Sequence, residues 1–200
     1  LYDEPFADPS QLPSVFLCEH TARQVKVVLS GDGGDELFGG YARYHGAAAA
    51  WDQVRALPAG LRRGAAAALA ALRPLDFAPA RRLKKSLARW AQQDWRGLYR
   101  DGMSLWRPDE ELTVRHPQDS LWDVPLPSCG SVPRLASLLD VMVYMPGDLQ
   151  VKMDRASMAF GLEVRSPLLD HRLVEFAWSL PDAMTVADGR KGILRDVLGA

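Results

Sequence analysis

The sequence predicts an α/β fold whose share in this chain is mostly α-helical, and three observations carry that expectation. The run "KVVLS" (26–30) is apolar and rich in β-branched residues, and it stops at Gly31, as a buried strand of a parallel sheet would. A glycine-rich turn and a helical pattern follow it directly in "GDGGDELFGGY" (31–41). Most other segments repeat their apolar residues at helical spacing. One strand cannot make a sheet, so either strands are missed here or the others lie upstream of residue 1, and the second is expected.

The elements follow in order. "PSQLPSVFLCEHTARQ" (9–24) reads as a short amphipathic helix after a Pro/Ser start. After the strand, Leu37, Phe38, Tyr41 and Tyr44 recur near helical spacing, so a helix is expected from Asp35 onward. Residues 46–75 are rich in Ala and Leu and broken by Pro58, Gly60 and Pro74, which predicts two helices and a turn. Two more helices are expected over 80–106. The Pro-rich stretch 115–133 reads as a long surface loop.

Helix returns at 134–145 and is expected to break at Pro146-Gly147. Another follows over 148–160 with Asp148 as its N-cap. Leu149, Met153, Ala156 and Phe160 form its apolar stripe, while Asp148, Lys152 and Arg155 lie on another side. Residues 162–170 read as a connection, with Glu163 and Arg165 ordering it in preference to the alternative that they touch substrate. Asp170 caps a helix whose Leu173, Phe176, Ala177 and Leu180 face the core. A last helix starts within 189–200.

Composition narrows the function classes. Hydrophobic residues make up 48% and charged residues 24%, which is globular, and the formal net charge of −1 gives no overall field for nucleic acid or an anionic membrane. No apolar run reaches the roughly 18 residues of a membrane helix. The first residues lack a signal-peptide pattern and an initiating Met, which suggests missing upstream sequence. Cys18 and Cys129 fit no metal spacing; a disulfide is open to them, but sparse cysteine suits a reducing, cytoplasmic setting better. The four His show no ligand spacing, and the six Trp read as core or interface anchors.

The turn carries the chemistry. A helix N-terminus favours anions, and glycines before it let the backbone approach a phosphate. Ser30, Gly31, Gly33 and Gly34 supply that geometry. Asp32, Asp35 and Glu36 would repel a bare phosphate but suit Mg²⁺ held between carboxylate and phosphate. The same residues also suit a plain turn, with two carboxylates complementing a helix dipole. The turn is neither a Walker loop nor a dinucleotide fingerprint.

"LSGDGGDELFGGY" resembles the second nucleotide-site motif of glutamine-dependent asparagine synthetases. "DEPFADPSQLPS" before it, "VKMDRASMAFGLEVRSPLLDHRLVEFAWSLP" and "GRKGILRDVL" are similar to further blocks of that family, in family order. Region 46–130 matches only in being helical. The resemblance implies an ATP-pyrophosphatase-type, Rossmann-like domain that makes β-aspartyl-AMP from ATP and aspartate. Ammonia from a separate N-terminal glutaminase domain then gives asparagine.

It further implies ATP contacts at Ser30, Gly31 and Gly33, and a Mg²⁺ ligand at Asp35. Asp32 matches an acidic position, often Glu, linked to adenylate formation; the shorter Asp keeps the charge and loses reach. Lys191 matches a lysine that neutralises charge near the adenylate. Lys152 and Arg155 are further candidates for the anionic end of a substrate, with a solvated helix face paired to Asp148 as their alternative.

The family's first phosphate loop, of SGGxDS type, and the glutaminase cysteine are not found; Cys18, inside an expected helix, is no substitute. The chain is therefore expected to be the C-terminal part of a synthetase domain, inactive alone, with a homodimer as one assembly. A sister ligase of β-lactam synthetase or peptide-cyclase type, or a non-catalytic truncated module, would carry the same motifs.

Overall fold

The computed structural model describes residues 1–3, 6–72, 77–104, 122–186 and 191–199. In chain order the elements are α1 (Gln11–Ala22), β1 (Val27–Leu29), α2 (Gly34–Leu37), α3 (Ala42–Arg55), α4 (Ala59–Ala71), α5 (Ala78–Ala91) and α6 (Trp95–Met103). Then come α7 (Val132–Leu139), a π-helical segment (Asp140–Leu149), α8 (Gln150–Met158), β2 (Glu163–Arg165), a 3₁₀ turn (Pro167–Leu169), α9 (His171–Ser179), α10 (Asp182–Thr185) and α11 (Gly192–Gly199). They fall into two units: Leu1–Tyr41 with Val124–Ala200, and Ala42–Asp123. The second unit nearly coincides with the region 46–130 that carries none of the four sequence blocks.

In the first unit, β1 pairs with β2 in parallel, Val27 opposite Glu163, Val28 opposite Val164 and Leu29 opposite Arg165. The stretch 162–170 is thus not merely a connection: it holds the second strand, too short at three residues for an alternating pattern to show. Val28 and Val164 pack on a core of Cys18, Ala156 and Leu162, with Val15, Met153 and Phe160 around it. The other face of β1 is open, with Val27 42% and Leu29 69% exposed. The strand is therefore not buried on both faces as its apolar run suggested; α1 and α8 cover one side, and no described element covers the other.

The helix expected from Asp35 through Tyr44 is interrupted. Gly39 adopts φ +65°, and Gly40 N–H bonds back to the Asp35 carbonyl at 2.9 Å, closing α2 in a Schellman motif after four residues. Helix resumes only at Ala42.

Conversely, the break expected at Pro146-Gly147 does not occur. α7, the π segment and α8 form one helical run. A proline ring collides with the carbonyl four residues back in an α-helix, and the wider π turn carries the chain past Pro146. Asp148 consequently lies inside the run rather than at its start. Asp170 does cap α9, accepting from Arg172 N–H at 2.9 Å. The core face of α9 is Val174, Ala177 and Trp178, packed against Leu37, Phe38, Val141, Ile193 and Leu194. Phe176, expected inside, is 53% exposed.

In the second unit the helices α3 to α6 bury Tyr44, Val54, Ala65, Ala80, Leu87 and Tyr99. Arg43 Nε donates to Tyr99 Oη at 3.0 Å, and the rings of Tyr44 and Tyr99 lie 6.3 Å apart. Asp94 caps α6 through Gly97 N–H at 2.9 Å. The surface loop expected over 115–133 lies outside the described residues up to 121; residues 122–131 form neither helix nor strand. Cys18 is buried, Cys129 is exposed, and both are free thiols.

Candidate functional site

The site stands at the carboxyl ends of β1 and β2, where ligands of open parallel sheets bind. Ser30 follows β1, and its N–H bonds to the Arg165 carbonyl at 2.8 Å, extending the ladder by one residue. Ser166 follows β2, and its Oγ lies 3.0 Å from Ser30 Oγ. Ser30 Oγ also donates to Asp32 Oδ2 at 2.9 Å and accepts from Asp32 N–H at 3.3 Å. With the Ser30 hydroxyl donating to the carboxylate, Ser166 is left to donate to Ser30, and a short relay of hydroxyls ends on Asp32.

The glycines have distinct jobs. Gly31 is exposed, and a Cβ there would meet nothing within 4 Å, so a ligand has room against its backbone. Gly33 has φ +93°, and a Cβ there would lie 2.4 Å from Leu169 Cδ2. This left-handed residue turns the chain into α2 beneath the 3₁₀ turn.

Asp35 and Lys191, distant in sequence, meet here. Lys191 Nζ lies 2.9 Å from Asp35 Oδ2, with the two side chains 35% and 32% exposed. Both close over Gly40, where a Cβ would come within 1.8 Å of Asp35 Oδ1 and 2.6 Å of Lys191 Cε. Lys191 itself has φ +55°, the one non-glycine residue with positive φ among those described. Such a conformation is costly and persists where the surroundings over-determine it, as at ligand sites.

Behind the turn Glu36 is 1% exposed and accepts from Tyr41 Oη at 3.0 Å. Burial pushes its carboxyl above the usual range against that hydrogen bond, and the charges of Asp35 and Asp140 add to the rise.

Lys152 and Arg155 form their ion pairs with the N-terminal segment, not with the turn. Lys152 is no solvated residue: it is buried, 2.5 Å from Asp8 Oδ2 and 2.7 Å from Ser10 Oγ. Burial alone would raise the Asp8 carboxyl, but hydrogen bonds from Lys152 and Ser10 and the lysine charge hold it down at about 2. Burial and the Asp8 charge push the Asp148 carboxyl up, and its Oδ1 is buried without a hydrogen-bond partner among the described residues. Arg155 pairs with Asp3 at 2.8 Å on the surface. Glu36, grouped in the sequence with Asp32 and Asp35 as suiting Mg²⁺, is instead buried against Tyr41; sequence reasoning missed Ser166 and the Asp8–Ser10 clamp on Lys152, neither of which a local pattern marks.

No group of three metal-ligating side chains occurs among the described residues. Asp32 and Asp35 offer two partly exposed carboxylates, a donor set that suits Mg²⁺ shared with phosphate oxygens and water rather than caged by protein. No helix of the described residues is long and apolar enough to cross a membrane.

The family model for asparagine synthase matches residues 1–200. The chain belongs to the asparagine synthase family. A Mycobacterium tuberculosis protein provisionally named a glutamine-hydrolysing asparagine synthetase is 31% identical over 211 residues, covering 90% of this chain and 28% of its own length. Glutamine-hydrolysing asparagine synthetase 1 of Bacillus subtilis is 29% identical over 196 residues, covering 94% of this chain and 30% of its own. Asparagine synthetase 3 of the same organism is 48% identical over 58 residues, 28% of this chain and 9% of its own. This member of the asparagine synthase family thus spans under a third of the length of the first two relatives. No solved structure matches it significantly.

Proposed function

We propose that this chain is the C-terminal portion of the synthetase domain of a glutamine-dependent asparagine synthetase, and that its turn 30–36 with Lys191 handles ATP. The observation that carries this reading is the Asp35–Lys191 pair, set at the carboxyl ends of two parallel strands beside an open Gly31.

In the first step an oxygen of the aspartate β-carboxylate attacks the α-phosphorus of ATP. The bond from that phosphorus to the β-phosphate bridging oxygen breaks, leaving β-aspartyl-AMP and pyrophosphate. Ammonia, released from glutamine by a glutaminase domain of the parent protein, then adds to the acyl carbon. The acyl C–O bond breaks, AMP leaves, and a proton is lost to give asparagine.

Two anions meet in the first step, so fixed dipoles and cations must face the phosphoryl oxygens. The backbone at Ser30, Gly31 and Gly33 is where phosphate would approach. Ser30 Oγ, with Ser166 behind it, orients the Asp32 carboxylate toward the forming adenylate. Lys191 supplies a cation that Asp35 holds in place until nucleotide enters. Mg²⁺, when bound, would neutralise phosphate charge, and Asp35 is the residue to hold it, with Asp32 as the nearby second carboxylate. A cytoplasmic setting and a homodimer accompany this reading.

The test uses aspartate labelled with ¹⁸O in its β-carboxylate and the full-length protein. Label in the AMP phosphate supports β-aspartyl-AMP; AMP formed without label contradicts it.

A further inference from the structure

We propose that Arg134 and Ser137, two buried polar residues of α7, are positioning residues that set the spacing between Asp35 and Lys191. The inference rests on reading the turn as a nucleotide site. Residues 134 and 137 are neighbours at i and i+3, yet they are Arg and Ser, 5% and 0% exposed. A buried guanidinium is expensive, and apolar residues of similar volume would fill the space at less cost. A fully hydrogen-bonded polar pair in such a place rigidifies what surrounds it.

What these two residues hold are the two flanks of the site. Ser137 Oγ donates to the Glu36 carbonyl through a short hydrogen bond, fixing α2 one residue beyond Asp35. Arg134 reaches the other way. Its NH1 donates to Thr185 Oγ1 at 2.6 Å, and its NH2 donates to the carbonyl of Ala177 at 2.8 Å. The guanidinium stacks 4.1 Å over the Trp178 ring. It therefore ties the end of α9 to α10.

α10 in turn backs the turn itself. A Cβ on Gly39 would come 2.7 Å from both the Thr185 carbonyl oxygen and Val186 Cα. Gly39 adjoins Gly40, the residue over which Asp35 and Lys191 close. A half-exposed ion pair does not hold its own geometry. Lys191 immediately precedes α11, whose Ile193 and Leu194 pack on the cluster containing Ala177, the residue whose carbonyl Arg134 holds; α7 thus backs both partners of the pair.

The experiment labels the full-length protein, without nucleotide, with trace acetic anhydride at one fixed pH and reads the Lys191 rate by mass spectrometry. Ser137→Ala and Arg134→Lys are compared with Asp35→Asn, which removes the pair, and with Cys18→Ala, which disturbs a core outside α7. Opening the contact exposes the Lys191 amine to the reagent and should speed labelling on the order of two- to five-fold. Both α7 variants are expected to approach Asp35→Asn, while Cys18→Ala melts lower and labels as wild type. Arg134→Lys keeps the charge and serves if Ser137→Ala does not fold. Variants in α7 that melt lower but label Lys191 at the wild-type rate overturn the proposal. Because no nucleotide is used, absent ATP chemistry would sink the proposed function and leave this result standing.

Discussion

The hydroxyls of Ser30 and Ser166 meet at 3.0 Å across 136 positions of sequence. They are the first residues beyond two parallel strands, so the sheet register itself brings them together. Ser30 also serves Asp32 through its hydroxyl. Replacing Ser30 with Ala removes the Asp32 orienter, and pyrophosphate exchange by the full-length protein should fall about tenfold or more, the equivalent of one good hydrogen bond. Ser166→Ala, one step removed, should cost less. Equal losses, or none, would show that the relay does not orient Asp32.

Gly31 and Gly40 separate binding from folding. A Cβ at Gly31 meets nothing within 4 Å, whereas one at Gly40 comes within 1.8 Å of Asp35 Oδ1. Gly31→Ala should melt like wild type and, on the proposed reading, lose nucleotide affinity, because the methyl fills the open space where phosphate would approach the backbone. Gly40→Ala should push Asp35 and Lys191 apart and lower both stability and exchange. Thermal melts and ATP titrations on both variants decide this; full ATP affinity in Gly31→Ala would remove that residue from the site.

Lys152 contributes to stability rather than to the turn. Lys152→Met leaves Asp8 as a buried carboxylate without its cation, which should destabilise by about 3–5 kcal/mol. The same contact makes stability pH-dependent. The Asp8 carboxyl sits at about 2 when folded against an ordinary 3.8, so its contribution is complete above 3.8 and disappears as pH falls toward 2. That contribution is about 2 kcal/mol. Urea melts from pH 6 to pH 2 should show a loss in wild type that Lys152→Met lacks.

Glu36 gives the opposite slope. Burial raises its carboxyl above 4.5, so its folded form favours the proton. Its contribution is fully present below 4.5 and is lost as pH rises through the folded value. Glu36→Gln keeps an acceptor for Tyr41 and should be more stable than wild type at neutral pH, with the difference vanishing under acidic conditions. A difference independent of pH would mean that Glu36 binds its proton equally well folded and unfolded.

The sequence made parts of this legible for physical reasons. Gly31 to Asp35 concentrate glycine and carboxylate in one turn, and such local chemistry reads directly. Asp170 as a cap is local too, and so is the stripe Leu149–Met153–Ala156–Phe160, of which the structure packs Met153, Ala156 and Phe160 in one core while Leu149 ends the π segment. β2 was illegible because Glu163-Val164-Arg165 becomes a strand only by pairing with Val27–Leu29. Pro146 and Gly39 misled for opposite reasons: one was absorbed by π geometry, while the other closed a helix whose apolar spacing ran on past it. The partners of Lys152 and Lys191 lie 144 and 156 positions away, and only the folded chain brings them within 3 Å.

The most direct test of the central claim is ATP–pyrophosphate exchange with aspartate and Mg²⁺, comparing the full-length protein with its Asp35→Ala variant. Aspartate-dependent exchange in the wild type, lost by two orders of magnitude or more (roughly 3 kcal/mol) in Asp35→Ala, is the predicted result. No exchange from folded wild type with aspartate, or full exchange in the variant, would contradict it; exchange with another carboxylate would point to a sister ligase.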